Sequence, residues 1–216
     1  MMDEAGARST GRLAMAVGVV AAGSAVCLGT YFAVGGPFGT INDIGNAATG
    51  VLSGWLALRL RRQIPGRAGD VAAGVALAGA AFTVVGSALV VVGTTGFLLA
   101  GLVSSLGFAG IGAWLVVVNR GTRDVASWPP RLRALGVAAG ALMAVGVVMA
   151  PGIPLRLDDM ATAPTWVWIG FVGWLGTYVA YPAWAIWMGN IQRRSFDGRE
   201  TASTQPERDV ASWTGG

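Results

Sequence analysis

The feature that most constrains this chain is the spacing of its charges. Four long stretches carry no acidic or basic residue, namely 13–42, 71–119, 134–155 and 160–192. A helix needs about 20 apolar residues to cross a hydrocarbon core of about 30 Å. Lipid offers the backbone no hydrogen-bond partners, so a spanning chain must form helices or a closed barrel. Barrel strands alternate polar and apolar residues, whereas runs such as VALAGAAFTVVGSALVVV do not. The sequence therefore predicts an all-α, polytopic transmembrane helix bundle.

Six spans are predicted, at about 13–34, 38–60, 71–92, 97–119, 134–153 and 165–188. The longest uncharged stretch fits two helices, separated at the turn-forming sequence Gly93-Thr94-Thr95-Gly96. The apolar part of the first stretch exceeds the roughly 7–15 residues of a signal-peptide core, so we interpret it as an uncleaved span.

The distribution of arginine predicts the orientation. All 15 basic residues are arginine, and six spans put every one of them except Arg156 on the same side. Because cytoplasmic loops collect positive charge, we expect both termini in the cytoplasm of a bacterial cell, with the protein in its plasma membrane. Residues 1–12 and 191–216 are then cytoplasmic tails, the second of them disordered, and 13–190 is the six-helix transmembrane domain.

Tryptophans and small residues predict how the spans meet lipid and each other. We expect the tryptophans near the span ends to be interfacial anchors rather than parts of a ligand cage. Those on the cytoplasmic side are Trp55, Trp114, Trp184 and Trp187, and those on the other side are Trp166 and Trp168. Close helix contacts are expected where small residues recur at four-residue spacing: Gly18/Ala22, Gly50/Gly54, Gly74/Ala78 and Gly136/Gly140.

Missing residue types exclude several functional classes. The chain has no histidine or lysine, so it cannot ligate haem through two histidines or hold retinal or pyridoxal phosphate as a Schiff base. Its single cysteine, Cys27, cannot form an internal disulfide or hold an iron–sulfur cluster. No Walker loop is present. No cofactor, metal site or catalytic residue is predicted, and the basic balance is not interpreted as nucleic-acid binding.

One polar constellation remains, in GTINDIGNAATGVLSGW (39–55). Asn42, Asn46, Thr49 and Ser53 fall at i, i+4, i+7 and i+11, so they share one face of the second span. Asp43 lies beside this face. Sixteen residues separate it from Arg59, about 24 Å along a helix, which places Asp43 near the outer edge of the membrane and Asn46 one turn deeper.

The constellation has two interpretations. In the structural one, Thr40, Asn42 or Asp43 caps the helix and the remaining polar residues hydrogen-bond to other helices. In the functional one, Asn42, Asp43, Asn46, Thr49 and Ser53 line a ligand pocket that opens outward, since ionisable groups within membranes mark functional sites. Arg156, in the loop PGIPLRLDDMATAPT (151–165), is the expected charge partner of Asp43, with Asp158 and Asp159 at the mouth.

The stretches GPFGTINDIGNAATGVLSGWLALRLRR and YPAWAIWMGNIQRR resemble those of a family of six-span bacterial membrane proteins of unknown function. The arginine-only, Ala/Gly/Val-rich composition is similar to that of actinobacterial proteins. The resemblance implies the architecture and no particular activity.

Three functions are compatible with these residues. The scarcity of ionisable groups favours non-enzymatic binding of a lipid or small amphiphile, or assistance to a membrane protein partner; membrane lipids are the expected surroundings. The glycine-interrupted second span is also compatible with a small-solute transporter or channel. An enzyme is the least favoured, because its acid–base groups would be limited to Asp43, Asp158 and Asp159 at the outer face.

Overall fold

The computed structural model describes residues 4–64, 66–122 and 128–203, and all regular structure in these ranges is helical. The first five helices are α1 (Glu4–Val34), α2 (Phe38–Leu60), α3 (Arg67–Val91), α4 (Phe97–Gly121) and α5 (Pro130–Ala144). Short 3-10 helices follow α2 (Arg61–Gln63) and α5 (Val145–Gly152). The last part of the chain, which we call the sixth helical run, comprises α6 (Thr165–Gly170), α7 (Val172–Leu175), a π-helix (Gly176–Ala180) and α8 (Tyr181–Ser203).

Four helical segments are long and apolar enough to cross a membrane: Arg8–Val34, Arg67–Val91, Phe97–Gly121 and Pro130–Gly152. The predicted all-α class of membrane protein is confirmed to this extent. The second and sixth predicted spans do not meet the same criterion. In α2 the polar residues lower the mean hydropathy, and the sixth run is divided into shorter helices.

The predicted helix boundaries agree with the structure at several termini, because α2, α4 and α6 begin where the sequence placed them. The larger differences lie at charged ends: α1 begins at Glu4, α3 at Arg67, α5 at Pro130, and α8 continues to Ser203. The predictions marked the ends of uncharged segments, whereas a helical backbone continues beyond the apolar core. Arg123, Arg208 and residues 204–216 of the predicted tail lie outside the described residues.

The helices pack in chain order and close into a bundle. Each of α1 to α4 packs against the next helix, and the sixth run packs between α5 and α1. The turn between α3 and α4 is a Schellman motif, in which Thr94 N donates to Leu89 O and Gly93 N donates to Val90 O, both at 3.0 Å. Gly93 has a φ of 76°, a conformation that favours glycine. The predicted Gly-Thr-Thr-Gly turn is confirmed.

The polarity of α2 is reversed relative to that of a helix on a water-soluble protein. Its polar face is inside: Asn42 is 1% exposed and Ser53 is fully buried. Its large apolar side chains are outside, with Ile44 57% and Val51 56% exposed. The middle of the sixth run has the same polarity, with Leu175 and Val179 58% and 62% exposed and Gly176 and Thr177 buried. An apolar outer face belongs in contact with lipid or another protein rather than water.

A tryptophan-rich core fills the end of the bundle where α2 finishes and α3 begins. Trp114 and Trp184 are 1% and 0% exposed, and their rings pack edge to face at 6.4 Å. The Tyr181 ring stacks on Trp184, and Trp184 Nε1 donates to Asn119 Oδ1 at 3.1 Å. The prediction that Trp114 and Trp184 are interfacial anchors is therefore wrong, because both face inward. Trp55, Trp168 and Trp187 do project from the bundle.

Glycines let neighbouring backbones approach closely. A Cβ on Gly112 would lie 2.6 Å from Gly140 O, and a Cβ on Gly79 would overlap Gly107 O. Three of the four predicted small-residue pairs include a glycine packed against a neighbouring helix, at Gly18, Gly50 and Gly136, but Gly74 faces open space. Four-residue spacing alone does not identify the face that packs.

Candidate functional site

A cleft lies at the end of the bundle opposite the tryptophan-rich core. The start of α2, the end of α3 and the start of α4 form one part of its border. The end of α5, the 3-10 helix after α5 and the sixth run up to Tyr178 form the rest of its border. Its lining includes Asn42, Asp43, Asn46, Phe97, Trp174 and Tyr178. The open space is narrow, since only about 30 Å³ is available to the centres of water molecules. A cavity needs about 10–15 Å³ by this measure to hold one water, so the cleft accommodates a very small group without rearrangement.

Asn42 is the one residue of the described cleft lining with a buried side-chain atom that lacks a hydrogen-bond partner. It is 1% exposed, and its Oδ1 atom has no hydrogen-bond partner among the residues that the structure describes. Its Nδ2 atom makes a long contact of 3.5 Å with Asp43 Oδ1. A buried acceptor without a donor costs about 1–3 kcal/mol, so Asn42 Oδ1 is available to a donor that enters the cleft.

Asn46 and Tyr178 form the inner wall. Asn46 Nδ2 donates to the Tyr178 hydroxyl at 2.9 Å, which joins α2 to the π-helix. Deeper in the bundle, Ser53 and the Tyr181 hydroxyl share a 2.7 Å hydrogen bond, and both side chains are fully buried. These bonds connect helices distant in sequence, as interhelical hydrogen bonds do in lipid.

Thr49 and Ser53 lie on the polar face as predicted but do not line the cleft. Each hydroxyl donates to a carbonyl four residues earlier in α2, Thr49 to Gly45 O and Ser53 to Thr49 O. Their hydrogen-bonding capacity is therefore at least partly used within the helix. Of the predicted pocket residues, the structure brings Asn42, Asp43 and Asn46 together at the cleft.

The expected capping role of the polar residues in α2 is wrong. Because α2 begins at Phe38 with Pro37 as its N-cap, Thr40, Asn42 and Asp43 lie inside the helix, and no side-chain hydrogen bond caps it. The N-cap residue Pro37, whose ring holds φ at −74°, precedes the helix instead.

Arg156 and Asp43 are not brought together. Arg156 is exposed, adopts a φ of 52°, and forms no ion pair with Asp43 in the described structure. Asp158 instead caps α4 from a distance in sequence: Oδ2 accepts from Gly96 N at 2.6 Å and Oδ1 accepts from Leu99 N at 3.1 Å. Asp159 Oδ1 accepts from Ala161 N at 2.9 Å in a local turn. Asp43 is consequently the single carboxylate of the described cleft lining.

Aromatic side chains form a continuous group around the cleft. Phe97 and Trp174 meet edge to face at 6.4 Å, Trp174 and Tyr178 do so at 6.0 Å, and Tyr31 packs against Phe97. Trp174 Nε1 donates to Ser105 Oγ at 3.4 Å, which fixes the indole. Neither Phe97 nor Trp174 was among the predicted pocket residues. Nothing in the sequence distinguishes them from other aromatic residues in apolar spans.

The backbone is irregular on two sides of the cleft. The α-helical pattern changes to 3-10 geometry at Val145–Gly152, where Gly146 lines the cleft, and to π geometry at Gly176–Ala180, where Thr177 and Tyr178 do. Gly170 and Gly173, two members of a three-residue glycine repeat, line it as well. π-helical turns occur frequently at functional sites. The described residues contain no cluster of three or more His, Cys, Asp or Glu suited to a metal ion.

Comparisons of the chain with protein-family models, curated proteins and solved structures give no match. The geometry of the cleft is therefore the basis for assigning a function.

Proposed function

We propose that this chain is a six-span protein of a bacterial plasma membrane, with both termini in the cytoplasm, which binds a small ligand in the cleft beside Asn42. Four candidate membrane helices support the span count, since α2 and the sixth run pack alongside them. The apolar outer faces of α2 and the sixth run support it as well, because lipid accepts such faces and water does not. The arginine distribution supports the orientation.

Cysteine labelling tests the topology. In a Cys27→Ser background, Arg156→Cys and Arg67→Cys each introduce one thiol at an exposed position between helices or at a helix start. A membrane-impermeant maleimide applied to intact spheroplasts is expected to label Arg156→Cys alone, and to label both after lysis. Labelling of Arg67→Cys in intact cells would contradict the proposed orientation.

The observation that carries the binding function is the buried, unpartnered Oδ1 atom of Asn42 in the cleft lining. A side chain kept for packing alone is generally satisfied when it is buried. Asp43 and Asn46, one residue and one turn away, supply further polar groups at the same place. The arrangement fits a non-enzymatic binding site for a lipid or small amphiphile, whose polar group enters the cleft.

Native mass spectrometry of the gently solubilised protein tests binding. Wild type is compared with Asn42→Leu, which removes the unpartnered acceptor, and with Thr49→Val, which changes the same helix face outside the cleft. We expect a discrete bound molecule in wild type and Thr49→Val that is lost from Asn42→Leu. Retention of the same exchangeable lipids by all three proteins, each with the native helical circular dichroism spectrum, would refute binding at the cleft.

A small-solute transporter is the second candidate, and one observation favours it. The 3-10 and π segments interrupt two neighbouring helices at the cleft, as discontinuous helices do at transporter sites. These interruptions lie directly after α5 and within the sixth run. The sequence suggested an interruption in α2, but α2 is a continuous helix. Solute flux into proteoliposomes that is abolished by Asn46→Leu and preserved by Thr49→Val would favour transport over binding alone.

The enzymatic alternative has less support. Acid–base catalysis by a carboxylate pair needs both groups within reach of one substrate. Asp158 is engaged at the start of α4 and Asp159 in its own turn, which leaves Asp43 as the carboxylate that lines the cleft.

A further inference from the structure

We infer that the cleft selects a ligand bearing a primary ammonium group, which donates hydrogen bonds to Asn42 Oδ1 and to the Asp43 carboxylate. This inference rests on the proposed binding function and specifies the chemistry of its ligand. The group belongs either to a lipid headgroup, as in an ethanolamine phospholipid, or to a free small amine.

The charge of the lining favours a cation. Asp43 is the single charged residue among the described residues that line the cleft, and no arginine is among them. A charge that is partly removed from water is stabilised by an opposite charge. No arginine lines the described part of the cleft, and Arg156, the expected charge partner, forms no ion pair with Asp43 in the described structure.

The oxygen atoms of Asn42 and Asp43 in the cleft favour a donor. Asn42 Oδ1 and the Asp43 oxygens are acceptors, and the Asn46 amide hydrogen that points to the inner wall is already donated to Tyr178. An ammonium group carries three donors and no acceptor. It can therefore satisfy Asn42 Oδ1 and neutralise Asp43 at the same time, and hydrogen bonds between charged groups are the stronger ones.

The start of α4, one of the helix N-termini that border the cleft, does not favour an anion. The start of α4 would attract negative charge through its exposed N–H groups. Asp158 already occupies this position, with its carboxylate bonded to Gly96 N and Leu99 N. An incoming phosphate or carboxylate would meet this charge at one side and Asp43 at the other.

The aromatic lining and the small space define which cation fits. Phe97, Trp174 and Tyr178 line the cleft, and aromatic rings attract cations. The space of about 30 Å³ accommodates a group the size of one or two water molecules. An –NH₃⁺ group meets this limit. A trimethylammonium group is larger and has no N–H, so it would leave Asn42 Oδ1 without a donor.

Lipid competition on the full-length protein in nanodiscs tests the inference. Wild type, Asp43→Asn and the matched control Asp159→Asn are incorporated into phosphatidylglycerol nanodiscs doped with phosphatidylethanolamine or with phosphatidylcholine of the same acyl chains. Lipid retention is measured by native mass spectrometry, and parallel samples receive free ethanolamine or sodium chloride. All proteins are first checked for the native circular dichroism spectrum.

We expect wild type and Asp159→Asn to retain phosphatidylethanolamine over phosphatidylcholine, and Asp43→Asn to lose this preference by about tenfold or more, the effect of a charge-assisted hydrogen bond. Displacement by free ethanolamine at micromolar concentration would identify the free amine as the ligand, and resistance to it would identify the lipid. Equal retention of both lipids by wild type, an unchanged preference in Asp43→Asn, or loss of the wild-type preference on addition of sodium chloride alone would overturn the inference.

The ammonium inference and the proposed binding function are overturned by different results. A bound molecule without an amine, retained by Asp43→Asn and lost from Asn42→Leu, would overturn the ammonium inference and leave the binding function in place. Absence of any molecule whose retention depends on Asn42 would overturn both.

Discussion

The side-chain amide of Asn46 donates a 2.9 Å hydrogen bond to the hydroxyl of Tyr178, which lies 132 residues further along the chain. We expect Tyr178→Phe to lower the free energy of unfolding by about 1 kcal/mol, because interhelical hydrogen bonds in membranes contribute about 0.6–2 kcal/mol. Thermal or denaturant unfolding in detergent measures the change. Tyr31→Phe is the control, since the Tyr31 hydroxyl has no hydrogen bond in the described structure. Equal stability of the two variants would contradict the role of this bond.

Asp158 caps α4 through two backbone N–H groups. Replacement by alanine is expected to destabilise the protein by about 1 kcal/mol, within the usual range for the loss of an N-cap. Asp159→Ala, which removes one bond in a local turn, should have a smaller effect in the same unfolding assay. The opposite order of the two variants would show that the cap that Asp158 supplies from its loop is not stabilising.

Trp184 and Trp187 lie three residues apart in α8 but in different surroundings. Trp184 is fully buried and donates to Asn119, whereas Trp187 is 37% exposed. Trp184→Phe should cost about 1–3 kcal/mol, because it leaves a void and a buried amide oxygen without its donor. Trp187→Phe should stay within about 0.5 kcal/mol of wild type. The unfolding midpoint and the near-UV circular dichroism signal report the difference, and equal effects would place Trp184 outside the core.

Gly79 and Gly74 provide a matched pair within α3. A Cβ on Gly79 would overlap the backbone of Gly107 in α4, whereas Gly74 faces open space. Gly79→Ala is therefore expected to destabilise the bundle by about 1–3 kcal/mol through overpacking. Gly74→Ala should be neutral or should stabilise it by up to about 1 kcal/mol, since alanine is the better helix former. If both variants behave alike, α3 and α4 do not meet at Gly79.

The helices were predictable because their signal is local. Charge-free length predicts a span wherever it lies in the chain, and the Gly93 turn contains its own glycine at the position that needs a positive φ. The geometry of the irregular segments was not predictable. Pro151 in VGVVMAPG signals that a regular α-helix is disrupted there, but nothing in this segment or in GTYVA specifies 3-10 or π geometry.

The part of the candidate site that α2 contributes was predictable from the sequence. Periodicity placed Asn42 and Asn46 on one face of α2, and the structure turns this face inward. The partner across the bundle, Tyr178, could not be identified by periodicity, because its contact with α2 depends on how the sixth run closes the bundle. Trp114 and Trp184 show the same limit. Their positions near span ends suggested interfacial anchors, but rotation about the helix axis decides whether a tryptophan faces lipid or the core.

The π-helix at Gly176–Ala180 also changes the helical phase between the two ends of the sixth run, one at the cleft and the other in the tryptophan-rich core. An α-helix has 3.6 residues per turn, so one extra residue in a turn offsets all later side chains by about 100° around the axis. Gly170, Gly173 and Trp174 of the cleft precede the offset, and Trp184 of the tryptophan-rich core follows it. Deleting one residue of this segment would rotate Trp184 away from Asn119 without moving the glycines of the cleft. The angular alignment of the closed end with the cleft end therefore depends on a single inserted residue.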